Sequence, residues 1–152
     1  MRSIISNTIL FLLITLFVYA AVSKLADRQH FAAVLSKMPI IKSKARALSF
    51  LVPIDELLAA LLLFFPKTRV YGLWISLMLM VLFTGYITYL MLFAPHLPCS
   101  CGGVLQNMSW KEHLVFNTFF LLLPGIGIKL HHRNKDIVAT HRPHVQRLQG
   151  NR

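Results

Sequence analysis

Acidic side chains are scarce in this chain. Asp27, Asp55, Glu56, Glu112 and Asp136 are the whole inventory. Charged residues of both signs reach only 14%, against about 25% in a soluble domain. Cysteine is scarcer still, with Cys99 and Cys101 alone, so any disulfide within the chain joins these two. There is no internal repeat, no low-complexity block and no quinone motif. A soluble domain of this size would not need what fills the rest: residues that are 56% apolar, gathered into four long runs. The sixteen Lys and Arg give a formal charge of +11. They sit between and after the apolar runs, where they act as topology determinants and contacts to anionic headgroups. No basic patch is interleaved with aromatics on a soluble element, which argues against nucleic acid.

The runs predict an all-α, polytopic membrane protein: a bundle of four spans over about 4–22, 47–65, 70–93 and 113–130. A helix of about 20 apolar residues crosses the hydrocarbon core. The first run exceeds a signal-peptide h-region and is expected to stay uncleaved. The third carries no charge, and Tyr71, Trp74, Tyr86 and Tyr89 mark its two ends. Pro124, Gly125 and Gly127 predict a kink late in the fourth. Between the first two spans, Leu25, Phe31, Val34, Leu35 and Met38 largely keep helical spacing, with Lys24, Arg28 and Lys37 between them. An amphipathic helix lying in the interface and ended by Pro39 is expected, with an ordinary loop as the alternative. Residues 131–152 are basic and aperiodic, which predicts a disordered tail.

Four spans put both termini on one side. With the termini cytoplasmic, nine basic residues fall inside and seven outside, a weak vote. The thiols tip the choice. A vicinal pair on an exposed loop suits an oxidising compartment. The expected location is the inner membrane, with the Cys99–Cys101 loop in the periplasm.

The segment Pro98-Cys99-Ser100-Cys101-Gly102-Gly103 carries the chemistry. Two thiols one residue apart can form a disulfide or share a metal ion. The disulfide would close a small, strained ring, and strain raises the reduction potential. It would close almost no chain loop and so stabilise little. An exchange-competent pair is therefore expected, with Gly102 and Gly103 leaving room for a partner thiol. The start of the fourth helix would favour thiolate nearby, and His113 on its first turn could accept a proton. His113 and Trp110 could equally be interfacial anchors. A metal reading would use His96, Cys99, Cys101 and His113 for Cu(I) or Zn, although the spacing lacks the second half of a zinc-finger pattern. Two unreactive thiols in a turn are the bland alternative.

Asp55 and Glu56 lie inside the second run, where charge is expensive and usually functional. Pro53 as first residue of that helix would place both acids in its first turn. The acids are expected to face protein, with Lys24 or Arg28 as partners. A structural role is favoured for Glu56, and a proton relay is the alternative.

Val18-Tyr19-Ala20-Ala21-Val22-Ser23-Lys24-Leu25-Ala26-Asp27, with Phe31, resembles the end of the first span in the DoxX-like superfamily. Val52-Pro53-Ile54-Asp55-Glu56-Leu57-Leu58 is similar to its second span. The cysteine segment, with Trp110, His113 and Asn117, resembles the MauE branch. The similarity covers about residues 4–130. It implies a bacterial four-helix membrane protein of methylamine utilisation, which helps mature the disulfide-rich small subunit of methylamine dehydrogenase beside a thioredoxin-like partner. The expected function is thus a membrane thiol-disulfide redox or maturation factor. Its partners would be the bilayer and a thioredoxin-like protein or client. No cofactor is predicted, with a quinone or a metal ion left open. A metal-binding or transport protein and a non-catalytic scaffold are the alternatives.

Overall fold

Helix α1 spans Arg2–Ala26, a stretch without glycine or proline. Its end is set by Asp27, whose side chain accepts a hydrogen bond from the His30 backbone N–H at 3.2 Å. That contact caps α2, Arg28–Ser36, by supplying one of the acceptors a helix start lacks. The computed structural model describes residues 2–38, 40–93 and 110–149, and the side chains of these except residues 2, 3, 90, 110 and 132–149. A 3-10 turn at Lys42–Lys44 leads into α3, Ala45–Phe64. Phe65 is extended (φ −81°, ψ 125°), as expected of a residue before proline. After this turn come α4, Arg69–Phe93, and α5, Trp110–Gln149.

Four helical stretches are long and apolar enough to cross a bilayer: Ile4–Ala26, Lys42–Phe64, Arg69–Phe93 and Lys111–His131. At 1.5 Å rise per residue each reaches about 30 Å. Their outward faces are apolar. Phe11, Val22, Leu61, Met78 and Leu82 are each more than half exposed, a surface that water would not tolerate over such an area. The chain is an all-α, four-span, multi-pass membrane protein.

The helices form a ring in which α1 packs on α3, α3 on α4, α4 on α5, and α5 back on α1. The interior is built from Ile9, Leu10, Leu13 and Phe17 of α1, Ala59, Ala60 and Leu63 of α3, Leu73 and Met80 of α4, and Leu123 of α5. Lipid is as apolar as these side chains, so close fit rather than water exclusion holds the helices together. Gly72 shows how close. A Cβ there would stand 2.7 Å from the Leu63 backbone nitrogen and 2.9 Å from the Leu62 carbonyl carbon.

One expectation from sequence is corrected. Pro53 does not open the second span. Helix α3 starts eight residues earlier at Ala45, and Pro53 is buried inside it. A membrane helix tolerates the lost N–H when neighbours re-satisfy the freed groups. Asp55 and Glu56 therefore sit in mid-helix, not in a first turn. Beyond the fourth span the backbone is helical to Gln149. Residues 131–142 contain no glycine or proline, so nothing in the backbone chemistry stops the helix there.

The interfacial helix is α2. Phe31, Val34 and Leu35 of α2, with Met38, pack against Ala45, Leu48 and Val52 of α3 and Tyr86 and Tyr89 of α4. These contacts place α2 at one end of the bundle. The C-terminal ends of α1 and α4 and the N-terminal ends of α3 and α5 gather there.

Candidate functional site

Cys99, Cys101 and His96 lie outside the described residues. Phe93, the last residue of α4, and Trp110, the first of α5, bracket them. The site is therefore built from what surrounds the two anchor points.

His113 lies on the first turn of α5 and Asn117 one turn later. A spacing of four puts both on one helix face, and both are buried at 5% and 6% exposure. The face they share is the inward one, since Lys111, Glu112, Val115 and Thr118 are exposed. His113 thus faces the interior of the bundle. Glu112 stands on the same first turn, where a carboxylate suits the positive end of the helix dipole.

Within the same half of the bundle lies an ion pair. The Lys24 Nζ donates to Glu56 Oε1 at 2.7 Å, with the two side chains 12% and 2% exposed. Lys24 comes from the last turn of α1, and its ammonium also donates to the Ala20 carbonyl at 3.3 Å. It stands 5.9 Å from the Phe31 ring centroid, within the reach of a cation–π contact. The pair thus ties α1 to α3 and lies against α2. The second carboxylate oxygen, Oε2, is buried without a hydrogen-bond partner among the described residues. An acid this buried costs several kcal/mol unless paired, and Lys24 is the partner that makes its burial tolerable. Nearby, the Arg28 guanidinium lies 4.2 Å from the Phe50 ring centroid, a second bond between the α2 start and α3.

The sequence named six site residues, and they separate. Glu56 is buried and paired with Lys24. Asp55 is exposed, because consecutive helical residues point about 100° apart. His113 is buried at the bundle end that carries the cysteine segment. Lys24 entered the sequence reading as one of two pairing options, and the fold selects it over Arg28. Among the described residues, no group of three His, Cys, Asp or Glu side chains converges on a metal-sized site. The set of His96, Cys99, Cys101 and His113 falls mostly outside those residues.

Chemically this end offers a buried imidazole with a buried amide one turn below it, and an internal carboxylate held by one ammonium. The imidazole can take or give a proton. The ion pair fixes the angle between α1 and α3. Phe93 and Trp110, which flank the segment with both thiols in sequence, stand at the same rim.

The family model described as methylamine utilisation protein MauE covers residues 2–130. No curated protein and no solved structure is matched.

Proposed function

The chain belongs to the MauE family, and from that membership we propose that it is a membrane thiol-disulfide redox or maturation factor working through Cys99 and Cys101. One thiolate of the pair attacks a client disulfide and forms a mixed disulfide, releasing one client thiolate. The second thiolate attacks the mixed bond, leaving Cys99–Cys101 oxidised and the client with two thiols. The dithiol of a thioredoxin-like partner returns the two electrons. Run backwards, the same sequence oxidises a client dithiol. His113 accepts the thiol proton as the thiolate forms and returns it as the leaving thiolate departs. The family's client class, a disulfide-rich dehydrogenase subunit of methylamine utilisation, is the first to test.

One observation carries the reading. The cysteine segment is anchored at Phe93 and Trp110, on the bundle end where His113, Asn117 and the Lys24–Glu56 pair are buried. Spans of alternating direction put that end at one membrane face. A periplasmic face, with both termini cytoplasmic in the inner membrane, suits a disulfide that must persist between turnovers. Glu56 braces the bundle in this account and takes no part in proton transfer.

The test is complementation with Cys99→Ser and Cys101→Ser. Each should abolish activity while membrane insertion stays normal, because insertion depends on the apolar spans. Full complementation by both refutes the redox reading and favours a scaffold. Failure of both, with wild-type thiols that never oxidise and one copper or zinc ion per chain after anaerobic purification, installs the metal reading instead.

A further inference from the structure

At the bundle end opposite the cysteine segment lies a cavity of about 200 Å³. Three transmembrane helices and the α3–α4 turn build it. Ser6 and Asn7 of α1, Arg69 of α4 and His131 of α5 supply its polar wall, and Leu73 and Gly127 are among the apolar part. Gly127 marks a close approach of α5 to the Leu73 side chain of α4. A Cβ there would meet Leu73 Cδ2 at 2.9 Å, so the close approach of α5 to α4 closes the cavity floor.

The charge on the described lining of this cavity is one-sided. Among the described residues, no carboxylate lines the cavity. Asp27 and Glu112 stand at the other end of the bundle and Asp55 and Glu56 in mid-helix on α3, while the side chain of Asp136, further along α5, lies outside the described ones. Arg69 has its Nε buried without a hydrogen-bond partner among the described residues. A guanidinium never loses its charge, and a buried N–H left unpaired costs about 1–3 kcal/mol. Arg69 is also the first residue of a 25-residue helix, whose dipole adds positive potential at that point. Lys129 stands two residues beyond Gly127 on α5. A cationic fork in a cavity with hydroxyl and amide neighbours and no acid among its described lining is the chemistry of an oxyanion site.

We infer that this cavity binds a phosphate group, with Arg69 as its principal ligand and Asn7 and Ser6 completing the polar cradle. Phosphate matches the guanidinium fork in shape as well as charge. The cavity opens at the membrane-interface level of the bundle, with apolar Leu73 below. That arrangement admits the headgroup of an anionic phospholipid, and also a free or soluble phosphate compound.

The experiment uses the full chain purified in a neutral detergent and follows its thermal stability against added ligand. The probes are phosphatidylglycerol in mixed micelles, phosphatidylcholine in the same micelles, and inorganic phosphate. Variants are Arg69→Gln, Asn7→Leu and, as an exposed control, Lys67→Gln. Asn7→Leu places an apolar side chain on an apolar helix and should fold even if Arg69→Gln does not. Phosphatidylglycerol should stabilise the wild type. Its apparent affinity should fall about tenfold in Arg69→Gln, as for loss of a charge-assisted hydrogen bond. It should fall also in Asn7→Leu and hold in Lys67→Gln. Stabilisation by phosphatidylglycerol alone assigns the phosphate to a lipid, and an equal Arg69-dependent effect of inorganic phosphate assigns it to a soluble source. No ligand effect, an equal effect of phosphatidylcholine, or equal losses in all three variants overturns the inference.

Discussion

Replacing Glu56 by glutamine keeps the side-chain shape and removes one charge from the interior of the bundle. Lys24 Nζ then faces an amide oxygen where a carboxylate stood at 2.7 Å. The gross attraction lost is about 6 kcal/mol at an effective dielectric of about 20. Much of this was already offset by the desolvation of both ions. Breaking a buried pair from one side typically costs about 3–5 kcal/mol, because the remaining charge is left uncompensated. Lys24 lies in the last turn of α1 and is 12% exposed. Its stem can carry the ammonium outward toward the headgroups, so Glu56→Gln should fall near 3 kcal/mol. Lys24→Met should cost more, since Glu56 at 2% exposure has a shorter stem and no route to water. The double variant Lys24→Met/Glu56→Leu should recover most of the loss. The assay is membrane abundance together with survival of the detergent-solubilised protein through a heating series. A double-mutant cycle should return a coupling of up to about 3 kcal/mol. A Glu56→Gln protein as stable as wild type would refute the bracing role, and so would a double variant as damaged as both singles combined. Normal abundance with lost redox cycling would move the acid into the mechanism.

Two other outcomes follow from the packing and the topology. Gly72→Ala should lose about 1–3 kcal/mol, because its new Cβ meets backbone atoms of Leu62 and Leu63 at 2.9 and 2.7 Å. Gly85→Ala, with nothing within 4 Å, should be as stable as wild type or slightly more so, and the same heating series reads both. An impermeant maleimide on intact spheroplasts should label reduced Cys99 or Cys101, while labelling only after lysis would reverse the orientation.

The four spans were legible in the sequence because a bilayer demands unbroken apolar runs, and runs of that length show in one dimension. The amphipathic helix was legible too, from the spacing of Phe31, Val34 and Leu35. The start of α3 was not. Pro53 reads as a helix opening by local rules, yet Ala45 to Val52 already forms two helical turns ahead of it, held by packing against α2. The split between Asp55 and Glu56 depends on helix phase, which the misplaced start obscured. Lys24 could be suspected as a partner, but choosing it over Arg28 required knowing that α1 runs on to Ala26 and that Arg28 turns to Phe50. Arg69 gave no signal beyond its place in the charge count. Its cavity is assembled from residues some sixty positions apart on either side, from Ser6 to His131.

The central claim is that Cys99 and Cys101 cycle between dithiol and disulfide. The direct measurement is acid quenching of cells followed by alkylation with a mass-shifting maleimide, before and after reductant. Wild-type chains should divide between an unshifted, oxidised form and a form carrying two labels, with the oxidised share rising in an oxidant pulse and falling after its removal. In Cys99→Ser or Cys101→Ser, one variant should instead accumulate a reductant-sensitive adduct with a thioredoxin-like partner or client, the intermediate of exchange. Two labels on every wild-type chain under all conditions, with no adduct in either variant, would contradict the account.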